Sequence, residues 1–128
     1  EREKLEKKIK ELGLEEDFLL LGAVENPYPY YAQADLYVHA TRFEGKSIAI
    51  QEAQVLGCPV IASDCNGNRE QIESGVDGIL CKLSPEDIAK CIEELIADPK
   101  KRQIYAKCAR ERNKENKEEI NQLLTMMR

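Results

Sequence analysis

The sequence predicts an α/β domain: a doubly wound parallel sheet with helices on its flanks. Short apolar runs of strand length alternate with segments of helical periodicity, and the alternation of strand and helix is the signature of parallel crossover units. The runs "DFLLLG", "DLYVHA", "CPVIAS" and "GILC" also lack the strict polar/apolar alternation that one solvated face would impose. Strands apolar on both faces belong to sheets covered by helices.

Taken in order, residues 1–12 place Leu5, Ile9 and Leu12 at helical spacing among charges, and Gly13 supplies the stop. "DFLLLG" reads as the next strand. The linker "AVENPYPYYAQA" carries an Asn-Pro turn and a short predicted helix from Pro29 to Ala34, before "DLYVHA" as a further strand. A loop over Thr41 to Lys46 precedes a predicted helix from Ser47 to Leu56, which Gly57 closes. "CPVIAS" is then a strand, "NREQIESG" a short helix and "GILC" a short strand. The segment "SPEDIAKCIEELIAD" has the strongest helical signature. Ser84 stands as N-cap, Pro85 and two acids fill the first turn, and Ile88, Cys91, Ile92, Leu95 and Ile96 form one apolar face. From Pro99 a helical tail runs to residue 128, with a polar middle from Arg110 to Glu119 and a last amphipathic piece carrying Ile120, Leu123, Leu124 and Met127. The chain opens on a helix where a doubly wound domain usually opens on a strand. The expectation is a fragment of a longer protein whose first strand is absent here.

Composition narrows the function classes. With 128 residues, 42% apolar and 34% charged, the chain is of one-domain length and can bury a core. A net charge of −5 without a clustered basic face argues against nucleic acid as a partner. No apolar run approaches the ~20 residues of a membrane span, so a cytoplasmic location is expected. The five cysteines, Cys58, Cys65, Cys81, Cys91 and Cys108, show no CxxC pairing and read as reduced core residues, without disulfides or a cysteine zinc site. His39 lies inside an apolar strand and reads as a satisfied core histidine.

Doubly wound sheets bind ligands at the carboxyl ends of their strands, which directs attention to the loops Gly22 to Pro29, Ala40 to Ser47, and Ser63 to Arg69. In "FEGKSIAIQEA", Glu44 lies in the loop and Glu52 about one and a half turns into the following helix, so the helix N-terminus falls between two carboxylates. Such a terminus suits a phosphate, and a carboxylate accepts hydrogen bonds from vicinal sugar hydroxyls. On spacing alone, a loop-capping Glu44 and a solvent-facing Glu52 are the commoner arrangement. Other candidates are weaker. Asp64 at a strand end reads as a turn former, Tyr28 and Tyr30 sit beside prolines in a turn, and Tyr31 and Tyr37 pack in the core. Arg69 and Glu70 could reach the ligand crevice or form a surface ion pair. Neither a P-loop nor a dinucleotide-type glycine loop occurs.

Several segments then match one family in order: Tyr-x-x-Ala-Asp from Tyr31 to Asp35, Glu-Gly at Glu44 and Gly45, and Glu-Ala at Glu52 and Ala53. Gly-x-Pro-Val-Ile-Ala-Ser-Asp from Gly57 to Asp64, Glu70 and Gly78 complete the set. Over roughly residues 18–100 the chain resembles the C-terminal, donor-binding, Rossmann-like domain of retaining nucleotide-sugar-dependent glycosyltransferases of the GT-B fold. The resemblance implies that Glu44 lies beside the donor sugar as the catalytic carboxylate and that Glu52 bonds the ribose. It implies that the amides of Gly45, Lys46, Ser47 and Ile48 face the sugar and diphosphate, and that Val24, Glu25 and Asn26 flank the base. The donor would be UDP- or GDP-linked, with no metal and no further cofactor. The acceptor, a sugar or lipid-linked glycan of a polysaccharide or glycolipid pathway, would be bound by an N-terminal domain absent from this chain, and the whole enzyme would associate peripherally with a membrane. One departure is Gly45-Lys46-Ser47 where many members have Gly-Phe-Gly, and Lys46 reads equally as a phosphate contact or a solvated charge. The Arg and Lys that such enzymes place on the diphosphate precede the first residue here, so the chain alone is expected to be inactive. The rival reading is a doubly wound binding or signalling module without a sugar donor, in which both glutamates are structural.

Overall fold

The computed structural model describes residues 1–42, 45–114, 121–122 and 125–126. Its elements run α1 (Arg2–Glu11), α2 (Tyr28–Gln33), β1 (Tyr37–His39), α3 (Ile48–Val55), β2 (Val60–Ser63), α4 (Asn66–Gln71), β3 (Ile79–Cys81), α5 (Pro85–Ala97) and α6 (Pro99–Arg112). The three strands form one parallel sheet in the order β1-β2-β3, with Val38 opposite Ile61 and Ala62 opposite Leu80. All their carboxyl ends therefore open on the same edge.

β2 is buried on both faces, as a central parallel strand requires. Its period of two deals alternate residues to two cores. Val60 and Ala62 join Ile50 and Ala53 of α3 with Cys58 and Ile72, while Ile61 faces Ile79, Leu95 of α5 and Tyr105 of α6. The two cores account for the predicted layering. The caps follow the sequence signals: Ser47 Oγ accepts from Ile50 N at α3, and Ser84 Oγ accepts from Asp87 N at α5. In α5, Leu95 is buried but Ile96, predicted on the apolar face, is 59% exposed, because the stripe facing the sheet is narrower than the run of apolar residues.

One predicted strand is not formed. Residues 18–21 take no strand pairing, and Phe18, Leu19 and Leu21 are exposed. A strand exists only where a neighbour supplies the ladder, and here the neighbour is α1, whose Arg2 donates a guanidinium hydrogen bond to Leu20 O at 3.4 Å. The helix predicted at Pro29 begins one residue earlier, where Asn26 Oδ1 accepts from Tyr28 N at 3.2 Å. The polar middle starting at Arg110 ends α6 at Arg112; Ile120, Leu123, Leu124 and Met127 lie outside the described residues. The cysteines are free thiols, and burial pushes Cys58 up to about 11, which fits an unreactive core thiol.

The end of α6 is tied to the loop before β3. Arg112 Nε donates to Asp77 Oδ2 at 2.5 Å, and Asp77 Oδ1 accepts from Glu73 N at 2.8 Å, with the Asp77 side chain almost fully buried. Next to it Gly78 is packed so closely that a Cβ would stand 2.9 Å from Val60 O. Asp77→Ala deletes a charge-assisted bond and leaves the Glu73 amide without its acceptor. The expected cost is about 2–3 kcal/mol, read as a lowered urea midpoint at unchanged slope.

Candidate functional site

The carboxyl edge of the sheet is organised around the loop from Thr41 to Ser47. At the loop's start, Ser63 at the end of β2 bonds both main-chain groups of Thr41: Thr41 N donates to Ser63 Oγ at 2.9 Å, and Ser63 Oγ donates to Thr41 O at 2.5 Å. At the loop's end, Gln71 of α4 does the same to Ser47, its Oε1 accepting from Ser47 N at 2.6 Å and its Nε2 donating to Ser47 O at 2.8 Å. Side-chain amides that pair with both groups of one residue fix its orientation as well as its distance. The loop is thus pinned at both ends.

The pin at Ser47 is itself braced. Gln54 Nε2 donates to Gln71 O at 3.0 Å, and Asn113 Nδ2 donates to Gln54 Oε1 at 3.0 Å and to Ala109 O at 2.7 Å. Ser47, Gln71, Gln54 and Asn113 are all buried, so the chain of amides runs from the start of α3 to the end of α6 out of water. A buried polar network of this kind is stable only when its members are paired.

The predicted residues fall as follows. Gly45 and Lys46 are exposed on the pinned loop, and Ile48 is exposed at the first turn of α3. Ser47, expected to face the diphosphate, is 2% exposed and turned inward, and its amide donates to Gln71. The orphan amides at the start of α3 are then those of Ile48 and the following residue, since Ser47 Oγ accepts from Ile50 N. Glu44 lies outside the described residues. Glu52 is half-buried on α3, and burial raises its carboxyl above the usual range, with the Tyr28 hydroxyl acting in the opposite direction. Val24 and Glu25 are exposed; Asn26 is partly buried and engaged with Tyr28 N.

The lesser candidates have structural partners. Asp64 receives the Arg69 guanidinium at 2.5 Å, and that bond holds its carboxyl below the usual range; Glu70 is exposed and not part of the pair. His39 Nδ1 meets the Tyr37 hydroxyl at 2.8 Å, and Tyr37 packs edge-on against Tyr31 with ring centroids 5.3 Å apart. Tyr28 is buried while Tyr30 is half exposed. Among the described residues no group of three or more His, Cys, Asp or Glu side chains could hold a metal ion, and no helix is long and apolar enough to cross a membrane.

Gln71, Gln54 and Asn113 were not singled out from the sequence. A signal existed for two of them: Gln54 sits in the otherwise apolar run after Ala53, and Gln71 directly precedes the buried Ile72. An uncharged amide in such a place implies a buried partner.

Comparison with known proteins follows the same geometry. The model of the family "Glycosyl transferases group 1" matches residues 1–112. The chain is 35% identical over 108 residues, 83% of its length, to the N-acetylgalactosamine-N,N'-diacetylbacillosaminyl-diphospho-undecaprenol 4-alpha-N-acetylgalactosaminyltransferase of Campylobacter jejuni, covering 30% of that protein. It is 37% identical over 87 residues, 67% of its length, to the UDP-Gal:alpha-D-GlcNAc-diphosphoundecaprenol alpha-1,3-galactosyltransferase of Escherichia coli, covering 22% of it. The crystal structure of Anabaena HepE in complex with UDP superposes with a TM-score of 0.85 at 29% identity, over 98% of this chain and 35% of that one. The chain thus spans about a third or less of the length of these relatives. With a family model matching all but its last residues, the chain belongs to the glycosyl transferases group 1 family, and its parallel sheet is the Rossmann-like sheet of GT-B enzymes.

Proposed function

We propose that, in the full-length protein, this domain binds a nucleotide-diphosphate sugar, UDP- or GDP-linked, and serves transfer of the sugar to an acceptor with retention of anomeric configuration. The observation that carries the reading is the pinned loop: a segment bearing Glu44, Gly45 and Lys46, held at both ends on the carboxyl edge of the sheet, runs directly into the N-terminus of α3. Exposed amides of Gly45, Lys46 and Ile48 meet the sugar and diphosphate there, and Ser47 shapes the turn. Glu52, half-buried on α3, accepts hydrogen bonds from the ribose, and Val24, Glu25 and Asn26 flank the base. UDP in the complex with HepE supports a uridine nucleotide among the alternatives.

The chemistry is a front-face substitution at the anomeric carbon. The bond from that carbon to the diphosphate breaks as the acceptor oxygen approaches the same face, and charge grows on the departing diphosphate. The α3 dipole and the loop amides stabilise that charge without having to reorganise, and this work needs no metal ion. Glu44 orients the sugar through its ionised form. The acceptor is a lipid-linked glycan bound by an N-terminal domain, a reading supported by the diphospho-undecaprenol acceptors in the names of the Campylobacter and Escherichia relatives. Transfer takes place at the cytoplasmic face of the membrane, and the 128-residue segment alone turns over no donor. The segment from Pro99 onward acts as a brace for the donor site through Asn113 and Arg112.

Glu44→Gln in the full-length enzyme keeps the side-chain volume and removes the charge. Turnover is expected to fall by about a hundredfold or more with the melting temperature unchanged, and wild-type turnover would remove Glu44 from the mechanism. Glu52→Ala acts on binding. Calorimetry with UDP and GDP should show affinity for the cognate nucleotide weakened about tenfold or more, while unchanged affinity would end the ribose assignment. The same titration on the unsubstituted protein separates the binding-module alternative, which predicts no heat with either nucleotide.

A further inference from the structure

We propose that Met126 is a positioning residue for nucleotide binding: its main-chain carbonyl and its sulfur hold Asn26 and Tyr28, and through them the linker that flanks the base. The inference rests on the base-flanking reading of Val24, Glu25 and Asn26 and adds to it a residue from the far end of the chain.

The linker before α2 has few ties of its own. Among the described residues, Leu21 to Glu25 make no hydrogen bond from main chain to main chain. The placement of this stretch is therefore set from its two ends. At the first, Arg2 donates a guanidinium hydrogen bond to Leu20 O. At the second stands Asn26, whose side-chain amide is engaged on both sides: Oδ1 accepts from Tyr28 N at 3.2 Å, and Nδ2 donates to Met126 O at 3.3 Å. A main-chain N–H meets only the oxygen of such an amide and a carbonyl only its nitrogen, so the two contacts agree on one orientation of the side chain. The Tyr28 hydroxyl then donates to the Met126 sulfur at 3.9 Å.

Met126 is 100 residues from Asn26 and 98 from Tyr28 in sequence, yet it engages both the linker and the first residue of α2. Tyr28 is 7% exposed, and α2 packs on α3, so this end of the clamp is fixed against the domain. Met126 itself is 61% exposed and adds little buried area, so its contacts fix local geometry more than overall stability. With its oxygen and its nitrogen both engaged inside the chain, Asn26 acts on a base chiefly through the linker geometry it maintains. A linker ordered in advance spares the nucleotide that part of the cost of binding.

The test is calorimetry on the full-length protein with UDP, GDP and ribose 5-diphosphate. The last ligand keeps the ribose and both phosphates and lacks the base. The affinity ratio of the tighter nucleotide to it isolates the base contact, and effects of charge on the phosphates cancel. Asn26→Asp keeps an acceptor for Tyr28 N and removes the donor to Met126 O; truncation after residue 124 removes Met126 itself. The unsubstituted protein should prefer the nucleotide by about tenfold or more. Each change should lower that preference about fivefold with affinity for ribose 5-diphosphate retained, and the two combined should lower it no further, because both delete the same bond. An unchanged preference in either would overturn the role of Met126. Effects that add in the combination would overturn it too, since Asn26 would then meet the base on its own. No preference in the unsubstituted protein would overturn the base-flanking reading and the inference with it. Should the truncated protein fold poorly, Met126→Gly, which removes the sulfur and loosens the carbonyl, takes its place in the same comparison with the same outcomes.

Discussion

The proposed donor site depends on one constraint, the double pinning of the loop between β1 and α3. An eight-residue connection at the carboxyl edge of a parallel sheet would ordinarily be among the most mobile parts of a domain. Here Ser63 takes both main-chain groups of Thr41, and Gln71 takes both main-chain groups of Ser47. These bonds do what a ligand would otherwise have to do. They hold the two ends of the loop at Thr41 and Ser47, so on the proposed reading less binding energy would be spent on ordering those ends.

The pins reach beyond the loop. Gln71 is held by Gln54 of α3, and Gln54 by Asn113 at the end of α6, while Arg112 and Asp77 tie the same end of α6 to the loop before β3. Four buried amides and hydroxyls in series are costly unless each is paired, and a single unpaired member would leave a donor or acceptor without water. The arrangement couples α6 to the start of α3, although β2, α4, β3 and α5 lie between them in sequence. The C-terminal helix is therefore part of the site's support.

The sequence made the layering legible because its signals are local: strand-length apolar runs, Ser47 and Ser84 as N-caps, Pro85 and Pro99 at helix starts. It also pointed to the carboxyl edge of the sheet, since the carboxyl ends of parallel strands are a topological consequence of strand and helix alternation. Where it failed, the deciding partner was remote. "FLLL" has a strand's composition, but a ladder is made between segments, and the composition of one cannot state what lies beside it. The partner of the Ser47 amide, Gln71, is 24 residues away and was equally out of reach of a local reading. Tyr28 was assigned to a turn because of its neighbouring prolines, and only the packing of α2 on α3 buries it.

The account's central claim is that the Gln71 bonds to Ser47 hold the donor loop in its binding geometry. The direct measurement is UDP affinity of the full-length protein carrying Gln71→Met, a substitution close in volume that removes both hydrogen bonds. Amide exchange at β2 serves as a check that the sheet is intact. The account predicts protected β2 amides with UDP affinity weakened about tenfold or more, because the loop must then be ordered by the nucleotide itself. Protected β2 amides with wild-type UDP affinity would contradict it.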